Sequence, residues 1–251
     1  MKSTIGYDRQ RGIERGDAAM ANAITIGRLI LLFIVIWMIY VGGAQLVGYC
    51  MILIAIVFVS DGLDGYVARR QGSTSRFGAV FDIAGDRIVE NALWVVFSDL
   101  RLIPVWIPLM VLTRGFIVDG LRSLSVAEGM TPFGDNNMMR SAFTQWLTAG
   151  RFMRAVFGYA KAAGFVFLTG LAASELSDAD GTWVETWYDF DPYLWLGWSL
   201  VVAAVGLTVI RGLPVIHDAF LAMREESRTD RSKSAAADLL PQSTRPGGRS
   251  L

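Results

Sequence analysis

The sequence predicts an all-α, polytopic integral membrane protein with six transmembrane helices. Three observations carry this. The 251 residues are 53% hydrophobic, and the mean hydropathy is +0.42, more apolar than an ordinary soluble domain. Charged residues make up only 18% of the chain and fall in clusters. Between Leu29 and Ser60 lies a run of 32 residues with no charge at all.

That run would form a single helix about 48 Å long at roughly 1.5 Å per residue, against a hydrocarbon core of about 30 Å. Gly42-Gly43 lies in its middle, so two helices joined by a tight turn are predicted. Four further apolar stretches run over Phe77–Phe97, Leu102–Val126, Phe152–Ala173 and Tyr193–His217. Three regions follow: a polar N-terminal segment (1–21), a six-helix domain (22–222) and a disordered cytoplasmic tail (223–251). The tail is polar and poor in aromatics, a composition that cannot bury a core. Met20 is an alternative start, since the interpretable sequence begins at Asn22.

The formal net charge is zero, which gives no footprint for nucleic acid. A single cysteine, Cys50, excludes a disulfide or a cysteine-based zinc framework and reads as a packing residue. His217 has no ligating neighbours in sequence and reads as a packing or surface residue.

Charge sets the orientation. With the N-terminus inside, 22 of the 23 Lys and Arg residues fall on the cytoplasmic side, leaving Arg101 outside. The positive-inside rule favours that arrangement. The loop between the last two spans, ELSDADGTWVETWYDFDP, has six acids and no Lys or Arg. Its Trp183, Trp187 and Tyr188 read as an outer aromatic belt.

Residues 61–86 hold four aspartates, in DGLDGYVARRQGSTSRFGAVFDIAGD. Asp61 and Asp64 are spaced i,i+3, and Asp82 and Asp86 are spaced i,i+4. Either spacing places both carboxylates on one helix face. At a helix centre each Asp costs about 2.5–3.5 kcal/mol to insert. Such a cluster calls for positive partners. Two divalent cations balance four carboxylates, and oxygen-only ligands favour Mg²⁺, Mn²⁺ or Ca²⁺ over zinc. Paired metals of this kind clamp displacement at phosphorus. Gly65 and Gly78 lack side chains where a ligand would approach, or serve helix packing. Arg69, one turn from Gly65, can pair with a phosphate or with the acids. Arg70 and Arg76 read as inner-face anchors.

This frame resembles the signature of the CDP-alcohol phosphatidyltransferases, D-x-x-D-G-x-x-A-R, eight residues, then G-x-x-x-D-x-x-x-D. It matches at Asp61, Asp64, Gly65, Ala68, Arg69, Gly78, Asp82 and Asp86 without departure. The resemblance implies a six-helix fold, usually dimeric, in a bacterial-type cytoplasmic membrane with the active site facing the cytoplasm. It implies attack of an alcohol on CDP-diacylglycerol with release of CMP. It further implies that Asp61, Asp64, Asp82 and Asp86 hold two ions, Mg²⁺ or Mn²⁺, with Asp86 also the general base. Gly65, Ala68, Arg69, Ser75 and Gly78 would lie at the nucleotide and its diphosphate. Asn22 and Thr25, in NAITIGR, match a family N-x-x-T element at the nucleotide; helix N-capping is the competing reading.

The acceptor must be read elsewhere. Arg114 and Arg122 are eight residues apart and share a helix face. Lys161 lies in the apolar stretch VFGYAKAAGF. Cations inside spans are costly and normally face a polar cavity, unless they snorkel to the surface. A phosphorylated acceptor would pair with all three. Asp119 lies between the arginines, to orient one of them or face a polar surface. The spacing is similar to phosphatidylglycerophosphate synthases at Arg114, Leu121, Arg122, Gly158 and Lys161. Gly115, Tyr159 and Ala162 depart from that pattern. Gly85-Asp86-Arg87 and the RFGAVFD stretch are also similar to phosphatidylinositol phosphate synthases. Glycerol 3-phosphate is the expected acceptor, with inositol phosphate as the alternative. A divalent-cation transporter is the reading from another class, but such sites usually lie at the midplane and not at one membrane boundary.

Overall fold

Gly42 and Gly43 break the uncharged run as expected. In the computed structural model helix α1 (Lys2–Val41) ends before them and α2 (Ala44–Gln71) begins after them. The structure describes residues 2–71, 76–127 and 150–238, with the side chains of 22–60, 78, 80–121, 150, 152–214, 216–217 and 220. The other helices are α3 (Arg76–Asp99), α4 (Trp106–Ala127), α5 (Arg151–Ser174), the short α6 (Trp183–Tyr188) and α7 (Asp191–Asp238). No strand occurs among the described residues.

Among the described residues, three stretches are long and apolar enough to cross a membrane: Asn22–Val41, Phe152–Ser174 and Asp191–Pro214, with mean hydropathies of 2.4, 1.5 and 1.9. Ala44–Ser60 is apolar but shorter. Helix α3 is less apolar because it carries Asp82, Asp86, Arg87 and Glu90.

Two units divide the described chain. The first comprises Met1–Thr113 and Ala155–Thr208; the second comprises Arg114–Arg154 and Val209–Leu251. In the first unit α1 lies against α2 and α3. Its interior is aromatic: Trp94, Phe97 and Phe165 are fully buried, with Trp94 edge-on to Phe165 at 4.7 Å. Cys50 is buried among them as a packing residue. Phe33 and Trp37 of α1 remain 57% and 65% exposed, as suits side chains facing lipid. Lipid is as apolar as they are, so helix association depends on close contact at small residues. Gly197 is one such point, where an added Cβ would run into the Phe167 ring.

One end of the first unit is pinned by polar contacts that sequence patterning does not reveal. Tyr40 Oη donates to Asp99 Oδ2 at 2.6 Å. The Ala44 N–H, at the start of α2, donates to both oxygens of Asp178 at 3.0 and 3.1 Å. Asp178 thus does across the fold what an N-cap side chain does locally. Asp178→Ala should cost about 1 kcal/mol and lower Tm in detergent by a few degrees; an unchanged Tm would refute the capping role.

The expected outer loop contains a helix of its own. In Thr182-Trp183-Val184-Glu185 the threonine hydroxyl accepts from the Glu185 N–H, and Glu185 Oε2 accepts from the Gly181 N–H at 2.6 Å. This resembles a capping box. It turns Tyr188 inward, where its hydroxyl donates to the Phe167 carbonyl at 2.7 Å. Burial, then the Tyr193 hydroxyl, push the Tyr188 phenol above its ordinary range. Trp187 is more than half exposed, whereas Tyr188, expected in the same aromatic belt, is buried.

Helix α3 ends in a Schellman turn. The Leu102 N–H donates to the Phe97 carbonyl and the Arg101 N–H to the Ser98 carbonyl, both at 3.0 Å. Arg101 takes φ +62°, a left-handed position where glycine is usual.

The expectation of disorder from residue 223 needs correcting. Helix α7 continues to Asp238, because REESRTDRSKSAAAD is rich in the strong helix formers Arg, Glu and Ala. Residues 239–251 lie outside the described chain. In the second unit Arg211 is buried, and its Nη1 donates to the Met153 carbonyl at 3.0 Å. His217 is exposed.

Candidate active site

Asp82 and Asp86 lie one turn apart on α3, and their side chains are 45% and 48% exposed. Facing them is a residue whose role the sequence did not disclose. Arg28 of α1 is buried, and its Nη2 donates to Asp86 Oδ1 at 2.8 Å. The same nitrogen is 3.7 Å from Asp82 Oδ1. The approach depends on Gly85, which lies between the two aspartates. A Cβ there would sit 2.8 Å from Thr25 Cγ2 and 3.1 Å from Arg28 Nη2. Thr25 and Arg28 are spaced i,i+3 on one face of α1, and that face meets α3 at its glycine.

This placement removes the capping reading of Asn22 and Thr25. Helix α1 runs unbroken from Lys2, so both residues are mid-helix. Thr25 is buried against Gly85, and Asn22 lies one turn before it. Gly78 lies in the first turn of α3, one turn before Asp82. The backbone of Asp61, Asp64, Gly65, Ala68 and Arg69 belongs to α2. Their side chains, and all of Ser75, lie outside the described residues.

A second charged cluster stands one turn further along α3. Glu90 is buried, and its Oε2 accepts from Lys161 Nζ at 2.9 Å. Arg87 Nη1 is 3.7 Å from the same oxygen. The Lys161 ammonium also stands 4.9 Å from the centroid of the Phe157 ring, within cation–π range. A signal for Glu90 was present: Asp82, Asp86 and Glu90 follow one another at four-residue spacing, the repeat of one helix face.

Arg28, Asp86 and Lys161 line one cavity of about 830 Å³ within the first unit. The rest of its wall is mostly apolar, including Val57 and Phe58 of α2, Val166 and Phe167 of α5, and Leu200 of α7. Along α5 it extends from Ala155 to Phe167, roughly 18 Å at the helical rise. The cavity joins a charged region to an oily wall, the shape of an amphiphile with an anionic head.

The other two expected acceptor cations, Arg114 and Arg122, belong to the second unit, where the Arg114 side chain crosses Gly212 of α7. The Arg122 side chain lies outside the described residues. Asp119 is half-buried on α4.

An all-helical protein in which Asp86, Arg28 and Lys161 meet a mostly apolar cavity wall defines a class of proteins whose site suits an amphiphile. The family model for CDP-alcohol phosphatidyltransferase matches residues 18–210. The chain belongs to that family and is a transferase. Among its relatives is a probable phosphatidylglycerophosphate synthase of Mycobacterium tuberculosis, 26% identical over 60% of this chain and 73% of the relative. A CDP-diacylglycerol–glycerol-3-phosphate 3-phosphatidyltransferase of Rickettsia prowazekii is 26% identical over 43% of this chain and 60% of the relative. A putative cardiolipin synthase of Mycobacterium tuberculosis is 26% identical over 77% of this chain and 85% of the relative.

Proposed function

We propose that this protein transfers the phosphatidyl group of CDP-diacylglycerol to glycerol 3-phosphate and releases CMP. The observation that carries the reading is the cavity, where Arg28, Asp86 and Lys161 meet an otherwise apolar wall. A nucleotide-activated lipid has both parts, an anionic diphosphate and acyl chains. Six spans, α1 to α5 and α7, would hold the site at the cytoplasmic face, where charge asymmetry puts the aspartates. A homodimer is part of the same reading.

The family acts with divalent metal, and the residues present fit it. Asp82 and Asp86 offer half-exposed carboxylates on one helix face, an oxygen set suited to a hard cation. With Asp61 and Asp64 they would hold two ions, Mg²⁺ or Mn²⁺. Such ions supply charge neutralisation at the phosphates and polarise the phosphoryl oxygen.

The chain's own groups account for the rest. Arg28 fixes Asp86 through Oδ1. The acceptor hydroxyl oxygen forms the new bond to phosphorus, and the bond from that phosphorus to the CMP oxygen breaks. The hydroxyl proton passes to Asp86. Asn22, Thr25, Gly65, Ala68, Arg69, Ser75 and Gly78 hold the nucleotide and diphosphate. Lys161 receives the phosphate of the acceptor.

A second reading rests on the cardiolipin synthase likeness, which spans more of this chain than the phosphatidylglycerophosphate synthase one. It keeps the donor chemistry and replaces glycerol 3-phosphate by a lipid alcohol, phosphatidylglycerol. Inositol phosphate is the remaining acceptor, on the strength of Gly85-Asp86-Arg87.

The test is a product analysis. Purified protein is incubated with labelled CDP-diacylglycerol, Mg²⁺ and each acceptor in turn. Phosphatidylglycerophosphate and CMP are the expected products. Cardiolipin as the main product would move the assignment to the second reading. No CMP with any alcohol, together with cation flux in proteoliposomes lost in Asp61→Asn, would replace both by a transporter.

A further inference from the structure

We propose that Glu90 is a positioning residue for the acceptor: buried behind Lys161, it holds the lysine ammonium at the cavity wall to receive the acceptor's phosphate. The inference rests on the proposed function and deepens it.

Lys161 lines the cavity, between Gly158 and Ala162 on α5. Its other neighbours there include Ala163, Val166 and Phe167. An ammonium in such a wall would ordinarily extend along its four-carbon stem toward water. Here it does not; its side chain is only 16% exposed. The countercharge comes from Glu90, itself 5% exposed, at 2.9 Å. The Phe157 ring supports the ammonium at 4.9 Å. One of the three ammonium protons is used by Glu90, and two remain for a ligand.

Glu90 does not line the cavity, so its effect on a ligand is exerted through Lys161. Arg87 is 3.7 Å from the same carboxylate oxygen, so Glu90 is anchored by a neighbour on its own helix as well as by Lys161. The arrangement also separates the two substrates. Arg28 and Asp86 mark the donor side of the cavity, and Lys161 marks the acceptor side.

The experiment compares Glu90→Gln, Glu90→Asp, Lys161→Ala and the double variant Glu90→Gln/Lys161→Ala in the CMP-release assay. Without the carboxylate Lys161 turns toward water and leaves the wall. In Glu90→Gln the KM for glycerol 3-phosphate should rise by about tenfold or more, while the KM for CDP-diacylglycerol stays within about twofold. Glu90→Asp keeps the charge and should recover a large part of the loss. In the Lys161→Ala background Glu90→Gln should have no further effect on the acceptor KM, because the two act as one unit. A purely structural Glu90 would instead move both KM values and kcat together and add to Lys161→Ala. That result, or an unchanged acceptor KM in Glu90→Gln, overturns the proposal. If Glu90→Gln does not fold, Glu90→Asp carries the comparison: its shorter side chain should raise the acceptor KM alone, and equal shifts in both KM values count against the role. A wild-type protein that turns over no phosphorylated alcohol would sink the function itself; an active wild type with an indifferent Glu90 sinks only this inference.

Discussion

Asp86→Asn is expected to abolish CMP release, with kcat falling by at least about 10³-fold. The substitution is nearly isosteric. The Asn carbonyl can still accept the Arg28 hydrogen bond that Asp86 Oδ1 accepts at 2.8 Å. The α1–α3 contact at Gly85 is untouched, so Tm should hold. What is lost is one negative charge and one of the two carboxylate oxygens. Mn²⁺ binding by calorimetry provides a readout separate from turnover, and it should weaken in parallel. A variant that keeps both turnover and Mn²⁺ affinity would remove Asp86 from the site.

Arg28→Met is expected to slow turnover by roughly ten- to hundredfold, the equivalent of about 1.5–3 kcal/mol for a charge-assisted hydrogen bond. Methionine is unbranched and fills irregular space, so the effect should come mainly from lost charge. Asp86 then loses the Arg28 guanidinium, and Asp82 loses a cation 3.7 Å away. Arg28→Lys should fall between, because a lysine can donate to one oxygen but lacks the planar fork. CMP release as a function of CDP-diacylglycerol concentration checks this. Full activity in Arg28→Met would show that the contact is incidental to catalysis.

Much of this fold is legible in the sequence. The turn at Gly42-Gly43 follows from an apolar run too long for one bilayer. The shared face of Asp82 and Asp86 on α3 follows from spacing alone. The pairings do not. Arg28 and Asp86 are 58 residues apart, and Lys161 and Glu90 are 71 apart. No local periodicity says which cation will meet which acid. Glu90 adds nothing to a two-metal charge count, though it continues the helix face of Asp82 and Asp86. The Thr182–Glu185 cap was missed for another reason: an aromatic, acidic loop matches the composition of a membrane belt and hides a six-residue helix. Helix α7 passes the expected boundary at residue 222 because intrinsic helix propensity persists where hydrophobicity stops.

The bond from Ala44 to Asp178 has a mechanical consequence. Two walls of the cavity, α2 and α5, are tied at the Gly43 end, through Asp178 and through Gly170, where Tyr188 and Met51 close in. Further along the same two helices, Phe58 of α2 stacks on Phe165 of α5 with ring centroids 5.6 Å apart. The pair of walls is thus braced at a second level by an aromatic stack.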